Sequence, residues 1–250
     1  MRGEDGGQSY LISVSDMMSG LLFLFIITIM VFVISFHVET TKIQKSLEQA
    51  TGQYEKKMRE LIQARQARAQ MLRDLKEYLE QQGLQVHLDT DQGVLRLPEK
   101  ILFPLGSAEL QTEGRENLSK LAVALSAIVP CYAGNRSMPR PLVCSEDKFY
   151  PGTLEAILIE GHTDNVPIRD GGAFKNNWEL SAKRSITTYL ELIQVQSSLG
   201  ELRNPNAEPL LGVSAYAETR PVIPHKKETP EPLNRRIDLR FLIAPPSADG

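Results

Sequence analysis

The most apolar stretch of the chain lies near its start. The twenty residues from Met17 to Phe36 carry no charge, and as an α-helix they would span about 30 Å, the thickness of a bilayer core. We therefore predict a tail over residues 1–10 and a transmembrane helix over residues 11–37. The alternatives are a buried core helix and a cleavable signal peptide. A signal peptide would have a basic start and a shorter apolar region, whereas this chain begins MRGEDGG.

Residues 38–83 become polar, and their pattern predicts a helical spacer rich in Gln, Glu, Lys, Arg and Ala. Apolar residues recur every three or four positions, which is the spacing of one face of a helix. They are Ile43, Leu47, Ala50, Tyr54, Met58 and Leu61, and then Leu72, Leu75 and Leu79. A solvated single helix and a coiled coil both fit this pattern.

After Gly83 the pattern changes to short strands and turns that alternate with helices. The segments LQVHL and VLRLP predict a hairpin, with Gly93 in its turn. Two helices are predicted at 113–128 and 178–194, and three further strands are LEAILIEG, GVSAY and RIDLRFLI. The fold class is thus a single transmembrane helix, a helical spacer and an α/β domain over residues 84–243. Residues 244–250 are predicted to be disordered.

Residues 130–151 form an insertion in this domain, with four prolines and both cysteines of the chain. A bond between Cys131 and Cys144 would stabilise the fold by about 3 kcal/mol in the chain-entropy model. This pattern predicts a disulfide in an oxidising compartment. Two unrelated thiols or a weak metal pair are the alternatives.

The overall composition is that of an ordinary protein, with 42% hydrophobic residues, 24% charged residues and a formal charge of −3. It excludes collagen, bulk disorder and a disulfide-dense miniprotein. The near balance of acidic and basic residues also argues against direct binding to nucleic acid.

Two observations disagree about the side of the membrane on which the domain lies. Arg2 precedes the span, while Lys42 and Lys45 follow it, which favours a cytoplasmic C-terminal side, although so few charges carry little weight. The paired cysteines favour the periplasm. We predict a cytoplasmic N-terminus and a periplasmic region from residue 39 to residue 250.

Asp16 stands immediately before the apolar stretch, where a carboxylate at membrane depth is costly and usually faces a partner or a water path. Ser13, Ser15 and Ser19 lie near it as hydroxyl partners. An aspartate that caps a helix N-terminus at the interface is the alternative. A single helix cannot form a channel, so an ion pathway would require partner subunits.

The order of a short tail, the segment SVSDMMSGLLFLF, one span, a helical spacer and an α/β domain resembles the MotB family, the B subunits of rotary stator motors. In that family the acid at the start of the span carries protons or sodium ions. The resemblance implies that Asp16 is the ion-translocating residue.

Five further segments stand in the order seen in OmpA-like peptidoglycan-binding domains, in which a mixed sheet packs against helices. They are LPEKILFPLGSAEL, IEGHTDNVPI, NNWELSAKRS, SAYAETRPV and NRRIDLRF. From the residues themselves, Gly161 permits a tight strand exit, Asp164 is presented at the end of a buried strand, and Arg184 can bind a carboxylate on two nitrogens. An acidic side chain that faces a basic one can bind the two opposite charges of a zwitterion.

Diaminopimelate of peptidoglycan is such a zwitterion, and the resemblance implies that Asp164 receives its ammonium and Arg184 its carboxylate. The same resemblance places Asn176, Asn177 and Leu180 in the cleft. The alternative is that Asp164 and Arg184 only form structural salt bridges within the fold. Arg235 and Arg236 are predicted mainly to hold the last strand, with a cleft contact as the alternative, and Trp178 is either a core anchor or a contact.

The sequence contains neither a phosphate-binding loop nor a strand-to-helix turn that would carry a nucleophile. His162 and Asp164 have the spacing of metal ligands, but four histidines at 37, 87, 162 and 225 form no convincing metal triad. We therefore predict a protein that is not an enzyme and has no metal or other cofactor.

The best prediction is a proton-driven stator subunit in the bacterial inner membrane. A structural wall tether would not need Asp16, and a receptor would need an output domain. Flagellar B subunits usually have a longer, basic tail, which differs from the short acidic start of this chain. The span SDMMSGLLFLFIITIMVF, the long spacer and the segment FPLGSAEL are more similar to the B subunit of the Zorya anti-phage defence system. That family implies two B chains in a ring of five MotA-like A chains, anchored to peptidoglycan. A flagellar B subunit remains the alternative.

Overall fold

The structure is a computed structural model that describes residues 5–135, 137–168 and 172–246, with side chains from residue 14 onward. The chain divides into two compact units, and the division falls between Met58 and Arg59. Most of the predicted disordered tail, residues 247–250, and the first four residues of the predicted N-terminal tail lie outside the described residues.

One continuous helix, α1, runs from Asp5 to Gln81. Within the described residues it is the helix that is long and apolar enough to cross a membrane. None of its most apolar window is buried by the rest of the chain, so the core-helix alternative is wrong. The helix begins six residues before the predicted start at residue 11. Asp16 consequently lies about three turns inside the helix and cannot cap its N-terminus.

The second unit begins inside the predicted spacer, because the last part of α1 packs into the core of the domain. Five apolar side chains on one face of this part are buried, namely Ala67, Met71, Leu72, Leu75 and Leu79. The predicted domain boundary at Gly83 therefore differs from the structure, in which the compact unit starts at Arg59. The leucines from 72 to 79 follow a helical period because they face their own domain, not another chain.

A five-stranded mixed sheet forms the centre of the second unit, with the order β1-β2-β5-β3-β4. Its strands are β1 (His87–Asp89), β2 (Val94–Pro98), β3 (Leu154–His162), β4 (Leu211–Ala217) and β5 (Arg236–Ile243). The predicted hairpin is present as β1 and β2, which are antiparallel. Strand β5 is antiparallel to both β2 and β3, whereas β3 and β4 are parallel.

Three helices complete the unit: α2 (Thr112–Ile128), α3 (Asn177–Val195) and the short α4 (Ser198–Glu201). Helix α3 connects the parallel strands β3 and β4, as such a pair requires a crossover. Alternate residues of the central strands, including Ile157, Ile159, Leu239 and Phe241, share one core with the leucines of α2. The predicted fold class is confirmed by these elements.

The insertion over residues 130–151 is ordered by a disulfide between Cys131 and Cys144. The alternatives of free thiols and a metal pair are therefore wrong. Lys148 of the insertion also pairs with Asp74 on the last part of α1, with 3.0 Å between Nζ and Oδ2. The disulfide closes a loop within this proline-rich segment, and the ion pair of Lys148 attaches the segment to α1.

Gly161 allows β3 and α3 to approach each other closely. A Cβ atom at this position would lie 2.1 Å from the carbonyl oxygen of Ser181 and 2.6 Å from the hydroxyl of Ser185. The glycine is thus required by the contact with α3, and the tight strand exit expected from the sequence is not its main role. This contact sets the first turns of α3 beside the end of β3.

Candidate functional site

Three charged residues meet at one end of the sheet because of the strand directions. Asp164 follows the end of β3, Glu99 follows the end of β2, and Arg235 precedes the start of β5. Strand β5 is antiparallel to both of its neighbours, so its start lies beside their ends. The first turns of α3 approach the same place and bring Arg184 to it.

These residues line a cleft with a cavity volume of about 550 Å³. Among the described residues, its charged lining consists of Glu99, Asp164, Arg184 and Arg235, and apolar side chains form much of the rest. The apolar lining residues are Leu105, Val166, Pro167, Ile168, Ala173, Phe174, Leu180 and Pro230. The cleft thus offers an apolar wall around a small number of charged groups, as ligand sites commonly do.

The four charged side chains form a continuous chain of alternating sign. Arg235 donates from Nη1 to Oδ2 of Asp164 at 2.6 Å and from Nε to Oε2 of Glu99 at 2.6 Å. The other oxygen of Glu99 accepts from Nη2 of Arg184. Two acids and two bases sum to zero formal charge. The direct partner of Asp164 is therefore Arg235 and that of Arg184 is Glu99, so both residues take part in salt bridges within the fold, as the structural alternative expects.

Arg184 is held deep in the domain, with 1% of its surface exposed. Its Nε donates to the carbonyl oxygen of Ser107 at 2.8 Å, its Nη2 also donates to that of Pro104 at 3.3 Å, and the guanidinium carbon lies 5.4 Å from the ring centre of Phe103. The segment FPLGSAEL thus encloses this arginine. Nη1 has no hydrogen-bond partner among the described residues, although it is buried.

Burial and the neighbouring acids act in opposite directions on the two arginines. Burial lowers the pKa of Arg184, and Glu99 opposes this effect. Burial also acts to lower the pKa of Arg235, but its hydrogen bond to Asp164 and the charge of Glu99 outweigh it and raise that pKa. An arginine with a nearby carboxylate stays protonated, so both side chains are cations.

Two of the three remaining residues predicted for the cleft lie in it. Asn177 and Leu180 line the cavity, and Asn177 also donates from Nδ2 to the carbonyl oxygens of Asp164 and Val166 at 3.3 and 3.1 Å. Asn176 does not line it. Its side chain caps α3 by accepting from the backbone N–H of Glu179 at 3.0 Å, a role that asparagine favours at helix starts.

Glu99 was not predicted from the sequence, and a place in the cleft was predicted for Arg235 only as the alternative. Glu99 stands in the segment LPEK, and its position directly after a strand was the only available signal. Arg235 and Arg236 were treated together, but the structure separates them: Arg235 lines the cleft, and Arg236 pairs with Asp238, with 3.0 Å between Nε and Oδ2. Arg235 therefore does both: its ion pairs with Glu99 and Asp164 hold the start of β5, and it also lines the cleft, as the alternative of a cleft contact requires.

Two other expectations can be compared with the structure. Trp178 is 49% exposed and is not among the residues that line the cleft, so it is not a core anchor. His162 and Asp164 line different cavities and do not form a pair of metal ligands.

The arrangement is suited to a ligand that carries both an ammonium and a carboxylate group. Oδ1 of Asp164 accepts only a long contact of 3.4 Å from the N–H of Val166, so it can still accept a bond from an ammonium. Nη1 of Arg184 is an unsatisfied buried donor, and satisfying such a group is favourable. Arg235 supplies further guanidinium donors between these two residues.

No protein-family model matches the chain. Motility protein B of Bacillus subtilis (strain 168) is 32% identical to it over 87 residues, which are 34% of this chain and 30% of that protein. The chain thus matches less than a third of the length of this curated relative.

Two solved structures are also similar. The periplasmic domain of Helicobacter pylori MotB is 22% identical over 60% of this chain and 73% of that one, with a TM-score of 0.40, which is too low to bear on the fold. A MotB-like protein from Desulfovibrio vulgaris is 22% identical over 73% of this chain and 98% of that one, with a TM-score of 0.53. The chain therefore has, over most of its length, the fold of this MotB-like protein.

Proposed function

We propose that this protein is the B-type subunit of a proton-driven membrane motor and that it anchors the motor to peptidoglycan. The observation that carries the proposal is the cleft of alternating charges around Asp164 and Arg184, on a domain of MotB-like fold. A helix long and apolar enough to cross a membrane belongs to the same chain. A wall site and a membrane span in one protein are what an anchored motor subunit requires.

We infer that the wall ligand is the diaminopimelate of a peptidoglycan stem peptide. Its ammonium would bind Asp164, and its carboxylate would bind Arg184 with help from Arg235. Binding is favourable because each charged group of the ligand finds a partner. The ligand ammonium shares Asp164 with Arg235, and the ligand carboxylate accepts a hydrogen bond from the otherwise unsatisfied Nη1 of Arg184. Asn177 and Leu180 would contact the stem peptide, and Asn176 would act only through α3.

The ion pathway requires Asp16 to face a partner subunit within the membrane. Asp16 lies inside α1 at the start of the apolar stretch, where a charge is tolerated if a partner or water faces it. We propose a MotA-like A subunit as this partner, in a ring of five A chains around two B chains. Proton binding would neutralise Asp16, and release would drive a step, with about 2.3 kcal/mol available per charge per 100 mV.

A homodimer of the B chain is part of this proposal. Beyond the predicted span, α1 carries exposed apolar side chains at helical spacing, namely Ile43, Leu47, Tyr54 and Met58. A second copy of the helix would cover this face.

The disulfide between Cys131 and Cys144 supports a periplasmic domain and a cytoplasmic N-terminus, because disulfides persist in oxidising compartments.

We propose the Zorya anti-phage system as the biological setting of this motor, on the resemblance of the span and the spacer. A flagellar motor is the second candidate, because the curated relative is a motility protein. Deletion of the gene in its native host separates the two. We expect phage plaques to become more numerous while the swimming rate stays unchanged. Lost swimming with unchanged plaque counts would assign the protein to the flagellum.

The wall site is tested by cosedimentation of the full chain, in a nonionic detergent, with purified peptidoglycan sacculi. We expect Asp164→Asn to weaken retention about tenfold or more, because a charge-assisted hydrogen bond to the ligand ammonium is lost. Leu105→Glu should weaken it as well, since Leu105 is 79% exposed at the cleft and an added acid repels the ligand carboxylate.

The matched control is Asp147→Asn, which removes an exposed acid of the insertion, away from the cleft lining. It should bind sacculi like the unmodified protein. Leu105→Glu distinguishes a lost ligand contact from misfolding, because a substitution at an exposed position does not disturb the core. Retention of both cleft variants at the control level would refute the proposed wall site.

A further inference from the structure

A second cleft lies on the face of the sheet that the helices do not cover. Side chains alternate between the two faces of a strand, so Ile159 and Leu239 enter the core while Glu160 and Asp238 point to the opposite face. The cavity there has a volume of about 610 Å³, and His162 lies against it. We call it the open-face cleft and define it by Arg96, His162, Arg220, Arg236, Asp238 and Arg240.

The floor of the open-face cleft is a set of buried ion pairs. Asp238 is fully buried and accepts from Nε of Arg96 at 3.1 Å and from Nε of Arg236 at 3.0 Å. Glu160 is also fully buried and accepts from Nε of Arg240 at 2.8 Å. These bonds orient the three arginines, and each arginine contacts its acid through Nε alone.

The outer side of the cleft has an excess of guanidinium donors. The Nη atoms of Arg96 and Arg240 make no hydrogen bond within the described parts of the chain. Arg220 is exposed and is oriented by stacking, with its guanidinium carbon 3.6 Å from the ring centre of Tyr216. Tyr216 in turn stacks on His162, with 5.4 Å between ring centres. This stack of His162, Tyr216 and Arg220 holds the guanidinium group of Arg220 at the mouth of the open-face cleft.

The charge of this cleft is positive. Four arginines line it, against the two aspartates Asp89 and Asp238, and Glu160 lies beneath the lining. Four positive and three negative side chains leave a net charge of +1. Burial lowers the pKa of His162, so the imidazole adds no charge near neutral pH.

The floor also holds polar atoms that lack partners. Both ring nitrogens of His162 and Oε2 of Glu160 have no hydrogen bond within the described residues, and His162 is 1% exposed. Nε2 of His162 lies 3.8 Å from Oε2 of Glu160 and 3.6 Å from Oδ2 of Asp238, beyond hydrogen-bond distance. The unpartnered donor of the His162 imidazole can serve a ligand anion, whereas Oε2 of Glu160 can only accept and contributes nothing to an anion site.

A metal ion is the other ligand that this grouping of acids and histidine allows, since ligand atoms of Glu160, His162 and Asp238 lie within 4.8 Å of one another. The carboxylates are already bound by Arg96, Arg236 and Arg240. A divalent cation would have to displace these guanidinium groups or face them at short range, which is costly. The geometry therefore favours an anion.

We propose that the open-face cleft binds a phosphate group between Arg96, Arg220 and Arg240. Guanidinium groups match the oxygens of phosphate and bind them on two nitrogens, and three converging arginines suit an anion with more than one charge. The source is either free phosphate or the phosphodiester headgroup of an anionic lipid. This site is separate from the cleft around Asp164 and Arg184, and the inference does not rest on the proposed function.

The site is tested by phosphorus NMR titration of the full chain in a nonionic detergent at low ionic strength. The probes are inorganic phosphate and glycerophosphoglycerol, the soluble headgroup of phosphatidylglycerol. We expect saturable binding of at least one probe. Tighter binding of the diester would identify a lipid headgroup as the source, and tighter binding of inorganic phosphate would identify the free anion.

The decisive variant is Arg220→Gln, because the side chain of Arg220 is exposed and forms no ion pair within the described residues, so its loss leaves the buried pairs intact. We expect it to weaken phosphate binding about tenfold. The matched control Arg73→Gln removes an exposed arginine that does not line the cleft and should bind like the unmodified protein.

Three results would overturn the proposal. The first is that neither probe saturates the unmodified chain. The second is that Arg220→Gln binds as tightly as Arg73→Gln, which would reduce the effect to general surface charge. The third is that zinc raises the unfolding temperature of the domain while phosphate leaves it unchanged.

Discussion

Asp16→Asn is expected to abolish proton flux while it leaves the assembly of the motor intact. The amide is close to the carboxylate in size, but it cannot bind and release a proton. Asp16 lies within α1 and not at its start, so the substitution removes no helix cap. The measurement is the acidification of liposomes that contain the chain together with its A-type partner, followed with an internal dye. We expect the flux to fall to that of empty liposomes.

A matched control for this variant is Glu39→Gln, which neutralises an exposed acid just beyond the apolar stretch. It should conduct like the unmodified protein, since surface ion pairs such as that of Glu39 with Lys42 contribute little. Copurification with the A-type partner would show that both variants assemble. Equal proton flux in the Asp16 and Glu39 variants would show that Asp16 does not carry the protons and would refute the proposed ion pathway.

Arg184→Ala is expected to lower the free energy of unfolding of the domain by about 3–5 kcal/mol, as the removal of one partner from a buried ion pair commonly does. Glu99 would lose one of its two arginines while it stays buried. The carbonyl oxygens of Ser107 and Pro104 would also lose their donor. Chemical denaturation of the full chain in detergent, followed by near-ultraviolet circular dichroism, measures the change.

Arg115→Ala provides the comparison. Arg115 also forms an ion pair, with 2.6 Å between its Nη1 and Oε2 of Glu191, but 56% of its side chain is exposed. Exposed pairs contribute about 1 kcal/mol or less, so this variant should unfold close to the unmodified protein. If Arg184→Ala were as stable as Arg115→Ala, the buried network would have no structural role. Because Arg184 supports the fold, loss of wall binding in its alanine variant would not by itself identify a ligand contact.

Local patterns in the sequence were sufficient for most of the secondary structure. Strand β5 was predicted with the observed ends, from Arg236 to Ile243, because its alternating side chains match a sheet with two different faces. Helix α3 was predicted within one residue at each end, and its start is marked by the capping side chain of Asn176. These signals act between near neighbours in the chain and are readable without the fold.

The boundary of the domain was predicted less well. The leucines at 72, 75 and 79 have the same spacing as the apolar residues from Ile43 to Met58, yet the first group is buried in the domain and the second is exposed. Helical spacing shows that a face will be covered but does not identify what covers it. The spacer was for that reason predicted to be too long.

The candidate site was predicted in part. Asp164 and Arg184 were identified by their motifs, but their partners were not, because Glu99 and Arg235 are separated by 136 positions in the chain. Only the antiparallel pairing of β5 with β2 and β3 brings these residues to one end of the sheet. The same pairing separates Arg236 from its neighbour Arg235 and places it on the other face.

The sequence alone determined that a helix able to cross a membrane precedes an α/β domain, since uninterrupted apolar length and alternating side chains are local properties. It also determined the two cysteines that form the disulfide and the acid immediately before the apolar stretch. Only the tertiary structure decided where the domain begins, that Asp164 pairs with Arg235, and that a second cleft, which is cationic, exists on the other face of the sheet. Those features arise from strand order and direction, which bring together charges that are distant in the chain.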